Sequence, residues 1–222
     1  MYDFLFHEGT FYGIRTSPDN YKISFQQAPI LWTASQAVLE SLKTGSPECP
    51  TQIKCLQNEI SVLVNAISPH DQFARTVLRS LPTEAWERGI FSEEALKKRF
   101  SQVEKIARKV DLVPAEGASL VVHILSYLQD LFLINPSRIP QAELNDDVTD
   151  FTKMNSSEIL YRAKFWLDHG NLLQTLKYMN LLKGAPRSIA TQWMYEAKIL
   201  LETQQAVKIL IAYAACSGLN FL

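Results

Sequence analysis

The residues that could do chemistry are few and scattered. The four histidines, His7, His70, His123 and His169, lie far apart, and none belongs to an HExxH pair that would bring two imidazoles and a carboxylate together at a zinc ion. Cys49, Cys55 and Cys216 lack the second close pair that a structural zinc site needs, and an odd count leaves at least one thiol free. No glycine-rich loop is present to cradle a phosphate. His123 could in principle pair with Ser126 or a distant carboxylate. A lone histidine on an apolar helix is more simply a hydrogen-bonded core residue, since buried polar groups are generally satisfied. His169 stands where a helix should end, and there it can satisfy the last carbonyls. Lys97-Lys98-Arg99 follows Glu93-Glu94 at helical spacing and reads as a solvated, ion-paired face. No nucleophile, base and orienting group can be assembled, so the sequence predicts no enzyme, no catalytic residues, no metal and no cofactor.

What remains is an all-α interaction protein. The 222 residues are 47% hydrophobic and 20% charged, enough for a sizeable core. A net charge of −1 gives no general attraction to nucleic acid. No unbroken apolar run reaches the roughly 20 residues of a membrane-spanning helix, and Met1 to Thr10 resembles no signal or transit peptide.

The most apolar stretch is Ser119 to Ile134, hydrophobic on every side of a helical wheel and therefore expected at the centre of a bundle. Residues 1–29, rich in aromatics and turn formers, form a divergent arm, expected as short strands or a poorly ordered extension. Residues 30–82 hold three amphipathic helices, over 30–43, 52–67 and 71–81. In the third, Phe73, Val77 and Leu81 are expected on the buried side.

A short helical turn follows over 83–89. Ser92 then caps a helix over about 93–110, with Phe91 and Leu96 as a hydrophobic staple and Lys105, Arg108 and Lys109 in the last turn. The acidic linker 135–150 reads as solvated. Beyond it, Asn155 and Glu158 make a capping pair, Gly170 is placed to end the helix, and a second helix covers 172–182. Two more, from Pro186 to Leu200 and from Gln205 to Cys216, complete a multi-helix bundle with tetratricopeptide-like hairpins.

Several segments carry a resemblance. They are Arg88-Gly89-Ile90-Phe91-Ser92-Glu93-Glu94-Ala95-Leu96 with Arg99-Phe100, Val103 to Val110, and LSYLQ at 125–129. The series continues with His169-Gly170-Asn171-Leu172, Leu181-Leu182-Lys183-Gly184, Trp193 with Glu196-Ala197, and Leu201-Glu202-Thr203. In order and spacing they resemble the C-terminal mitofilin domain of the large MICOS subunit of the mitochondrial inner membrane. The family usually has Asp where this chain has Asn171, a change that still caps a helix. Residues 83–222 would be the mitofilin core, and Ile30 to Pro82 resembles the helical segment before it.

The resemblance implies a scaffold that supports crista junctions and faces the intermembrane space. Its implied partners are MICOS subunits including a CHCH-domain subunit, further copies of the family, and the outer-membrane β-barrel assembly machinery. Peripheral membrane contact is implied as well. The transit peptide, transmembrane helix and coiled coil of larger members are not visible in these residues, so a fragment, a short form and a paralogue all stay open. The alternative is a soluble tetratricopeptide-like adaptor with no mitochondrial role. Trp32, Leu31, Leu39, Lys105, Arg108 and Lys109 are the candidate membrane contacts. Tyr127, Trp166 and Trp193 are the candidate core or partner contacts. The helix over 30–43 has an apolar face but a single lysine, Lys43, so packing against the helix over 52–67 is favoured over lipid.

Overall fold

A 36-residue helix near the C-terminus gathers the other elements around itself. The computed structural model describes residues 18–44, 53–111 and 154–219. Numbered in chain order, the described elements are α1 (Pro18–Lys43), β1 (Ile53–Lys54), α2 (Gln57–Ala66), α3 (Gln72–Arg79), α4 (Thr83–Glu87), β2 (Ile90–Phe91), α5 (Glu93–Asp111), α6 (Ser156–Asp168), α7 (Leu172–Met179) and α8 (Gly184–Leu219). The expected all-α class is what is found, with one two-stranded antiparallel ladder pairing Ile53 with Phe91 and Lys54 with Ile90.

The expectation of two helices over 186–216 is corrected, because α8 runs through both. Nothing between Leu200 and Gln205 breaks a helix, and the polar residues there are accommodated inside it. Thr203 is fully buried, and its hydroxyl donates to the Ile199 carbonyl at 2.8 Å. By length and composition α8 could cross a bilayer. Its sides are instead covered by α1, α5, α7, α3, α4 and β2. Trp193, Ala197, Leu200, Val207 and Leu210 are all buried along it. Among the described residues α8 is therefore the central helix. Ser119 to Ile134, the central helix expected from sequence, lies outside them, as do Cys49, His123, Tyr127 and the acidic linker.

The N-terminal half docks on this helix. α1 begins at Pro18, so residues 18–29 of the expected arm are helical, and Pro29 sits inside the helix. Leu31, Ala34, Val38 and Leu42 are buried against α8 and α2, and they share one hydrophobic core with Phe100, Leu160 and Trp193. The core thus runs unbroken across position 82.

The helix expected over 52–67 starts only at Gln57, because Ile53 and Lys54 pair with β2 instead. Gly89 permits that pairing. It has φ +84°, and a Cβ there would lie 2.1 Å from the Lys54 carbonyl oxygen. α3 buries Ala74 and Leu78, one residue out of phase with the expected Phe73 and Val77: Phe73 is half exposed and Val77 only partly buried, while Leu81, just beyond the helix, is buried as expected.

The helix ends read from sequence are found. Ser92 Oγ accepts from Ala95 N–H (3.2 Å), and Asn155 Oδ1 accepts from Glu158 N–H (2.8 Å). His169 Nδ1 lies 2.7 Å from the Phe165 carbonyl, and Gly170 has φ +75°. Asn171 Oδ1 accepts from Gln174 N–H at 3.0 Å. α7 ends at Met179 rather than Leu182, with Arg187 Nη1 donating to the Asn180 carbonyl at 2.9 Å.

Candidate functional site

Segments far apart in sequence meet where α4, β2 and the start of α5 pack on the first third of α8. The Trp193 indole N–H donates to the Leu96 carbonyl at 3.0 Å. Its ring stands edge-on to Phe100, with centroids 4.9 Å apart. One turn further along α8, Glu196 is buried and fully engaged. Arg88 Nη2 donates to its Oε2 at 2.8 Å, and Gln192 Nε2 donates to its Oε1 at 3.0 Å. The bond from Glu196 is the main cause that raises the Arg88 pKa. Beside this pair the Tyr195 hydroxyl donates to Glu84 Oε1. That bond is the largest cause both of the lowered Glu84 pKa and of the raised Tyr195 pKa. Every carboxylate oxygen of Glu196 is already bonded within the protein. The cluster clamps α4 and β2 onto α8 and offers no free base for catalysis.

The residues singled out from sequence fall in different places. Trp193 is 2% exposed and belongs to the core. Trp166 is partly buried against the core, edge-on to Phe165 at 5.4 Å, and its indole N–H is buried with no hydrogen-bond partner among the described residues. Tyr127 lies outside the described residues. Leu31 is 4% exposed and Leu39 is partly buried, so neither presents an open face. Trp32, at 44%, and Ile30 beside it are exposed, but Lys43 of the same helix is paired with Glu40 at 3.2 Å. Lys105 and Lys109 are exposed on α5. Arg108 is engaged by Glu104 through Nε (3.2 Å) and Nη2 (2.8 Å), and Lys164 reaches the other Glu104 oxygen at 3.2 Å. Cys55 and Cys216 are exposed free thiols. Among the described residues, no three His, Cys, Asp or Glu side chains are placed to hold a metal ion.

A surface that the sequence reading missed lies on α3 and the last third of α8. α3 reads QFARTVLR and contains no acid. Asp71 caps it by accepting from Ala74 N–H at 3.0 Å. Arg75 and Arg79, one turn apart, lie along one side of its exposed face, and Phe73 lies along the other. Among the described residues no carboxylate pairs with either arginine, and Arg75 Nη1 donates to the Pro69 carbonyl at 2.9 Å. Phe73 packs on the Tyr213 ring of α8 with centroids 4.7 Å apart, and Ile209, one turn before Tyr213, is also exposed. The legible signal was an acid-free helix with two arginines four residues apart.

The family profile Mitofilin, described as a mitochondrial inner membrane protein, matches residues 21–215. The chain belongs to the mitofilin family. Among mitofilin relatives, the MICOS complex subunit Mic60 of Drosophila melanogaster is 45% identical over 199 residues, covering 88% of this chain and 27% of that protein. MICOS complex subunit mic60 of Neurospora crassa is 28% identical over 159 residues, 72% of this chain and 22% of the relative. MICOS complex subunit MIC60 of Trichophyton verrucosum is 26% identical over 187 residues, 84% and 24% respectively. The chain thus spans about a quarter of the length of these relatives. No solved structure matches. The mitofilin match begins within α1, at residue 21, so α1 is part of the family's shared region.

Proposed function

We propose that this chain is a non-enzymatic scaffold segment of the MICOS complex, acting at the mitochondrial inner membrane and supporting crista junctions. The observation that carries the reading is the family match over nearly the whole described fold, which includes most of α1, the central helix and the clamp that holds α4 and β2 on it. A rigid helical body whose buried carboxylate is spent on internal bonds suits holding partners better than transforming them. Its partners are MICOS subunits, a CHCH-domain subunit and further copies of the family among them, and the outer-membrane β-barrel assembly machinery. Co-purification from mitochondria is the test. Recovery of MICOS subunits is the expected result. Recovery of cytosolic proteins alone would favour the tetratricopeptide-like adaptor.

Peripheral membrane contact is part of the same proposal, and the α3 surface supports it best. Arg75 and Arg79 supply cationic heads with no carboxylate partner among the described residues, while Phe73 and Ile209 supply exposed apolar groups for shallow insertion. Trp32 and Ile30 on α1 offer apolar groups with less charge, and Lys105 and Lys109 offer charge at the end of α5. Sedimentation with cardiolipin-containing vesicles should show binding that weakens as salt shortens the Debye length from ~10 Å at 0.1 M to ~3 Å at 1 M. Substituting Arg75 and Arg79 by Glu should abolish it. Unchanged binding by that variant would remove α3 from the contact.

A further inference from the structure

We infer that Tyr213 is a positioning residue for the α3 surface, holding Phe73 in the pose in which it meets the membrane. This inference rests on the membrane reading just given. Half of the Phe73 residue surface is open to solvent, and a half-exposed phenylalanine on its own would sample several rotamers. Here one side of the ring is taken by Tyr213, tilted 43° to it at 4.7 Å. Tyr213 is itself held, because its ring packs partly against the core. One turn on, Ser217 Oγ donates to its backbone carbonyl at 2.8 Å within the continuous helix. The Tyr213 hydroxyl faces the Asp71 carboxylate. Burial first, and that carboxylate second, raise the Tyr213 pKa. Asp71 is also the cap of α3, so the Tyr213 ring and the carboxylate beside its hydroxyl lie at adjacent points of the same short helix, Phe73 and its N-terminus. With Ile209 one turn away, the result is an apolar platform set beside two arginines that no carboxylate pairs with among the described residues. A contact fixed before binding loses less side-chain freedom on binding than one that must be ordered then.

The test uses the full chain and vesicles of phosphatidylcholine with and without cardiolipin. Tyr213→Met removes the ring and hydroxyl while keeping apolar volume, and Tyr213→Leu is the second variant should the first fold poorly. Either should lower the partition coefficient by about threefold to tenfold, with α3 and both arginines still present. A ring-fluorinated phenylalanine at position 73 supplies a readout that general destabilisation does not move. In the unbound parent its fluorine NMR line should be shifted by the Tyr213 ring, and in the variants it should collapse toward the averaged position. A parent that binds and loses binding on Phe73→Ala, but keeps it in folded Tyr213 variants, would overturn this inference and leave membrane contact standing. A parent that binds no cardiolipin vesicles would overturn both.

Discussion

Trp193→Ala tests the proposed centre of the fold. The ring is 2% exposed, stands edge-on to Phe100 at 4.9 Å and donates its N–H to the Leu96 carbonyl. Truncating a buried tryptophan to alanine costs about 3–5 kcal/mol through lost transfer energy and the cavity left behind. The aromatic pair is worth about 0.5–1.5 kcal/mol beyond its buried area. The Leu96 carbonyl sits within α5, where the helix ladder supplies a second donor, so its loss adds little. An expected loss of about 4 kcal/mol corresponds to a melting point lowered by about 8–16 °C in a chain of this size. Trp193→Phe keeps much of the volume and loses the N–H, and should cost about 1–2 kcal/mol. Urea unfolding followed by circular dichroism would measure both, with a lower midpoint and an unchanged slope. A loss under about 1 kcal/mol for Trp193→Ala would place the ring at a yielding surface and refute the assignment of α8 as the central strut.

Other outcomes follow from single contacts. Ser35 is fully buried on α1 and its hydroxyl has no partner among the described residues, so Ser35→Ala should be neutral or stabilise by up to about 1 kcal/mol in the same urea assay. Gly89→Ala should cost about 3 kcal/mol or more, since the added Cβ would strike the Lys54 backbone and alanine disfavours positive φ; the loss should appear as disrupted β1–β2 amide protection in hydrogen exchange. The Glu84 carboxyl is held below its usual range chiefly by the Tyr195 hydroxyl. A carboxyl with a depressed folded pKa contributes above its unfolded pKa, and that contribution fades as pH falls through the folded value. NMR titration of Tyr195→Phe should therefore show Glu84 moving back up, and an unchanged Glu84 titration would show that the bond does not form in solution.

Local signals were legible and distant ones were not. Ser92, Asn155 and Asn171 act within three residues of themselves, so residue type and spacing were enough to place the caps. The same holds for His169 and Gly170 at the end of α6. The Arg88–Glu196 pair joins positions 108 apart and left no local trace. β1 is two residues long and exists because Gly89 lets the chain pass close, so a helical pattern over 52–67 absorbed it. The phase of α3 was misread because Phe73 outranks Ala74 in hydrophobicity, while Ala74 is the residue small enough to be enclosed at that contact. In α8 the buried Thr203 and Gln204 looked like a loop, although no glycine or proline interrupts the run.

The unbroken α8 sets a distance as well as a core. At 1.5 Å per residue its 36 residues extend about 54 Å. The clamp at Tyr195 and the aromatic platform at Tyr213 are 18 positions apart on it, about 27 Å along the axis. No joint lies between them to absorb a tilt. The two stations therefore keep a separation set by helix geometry alone, and a partner that engages both must span it.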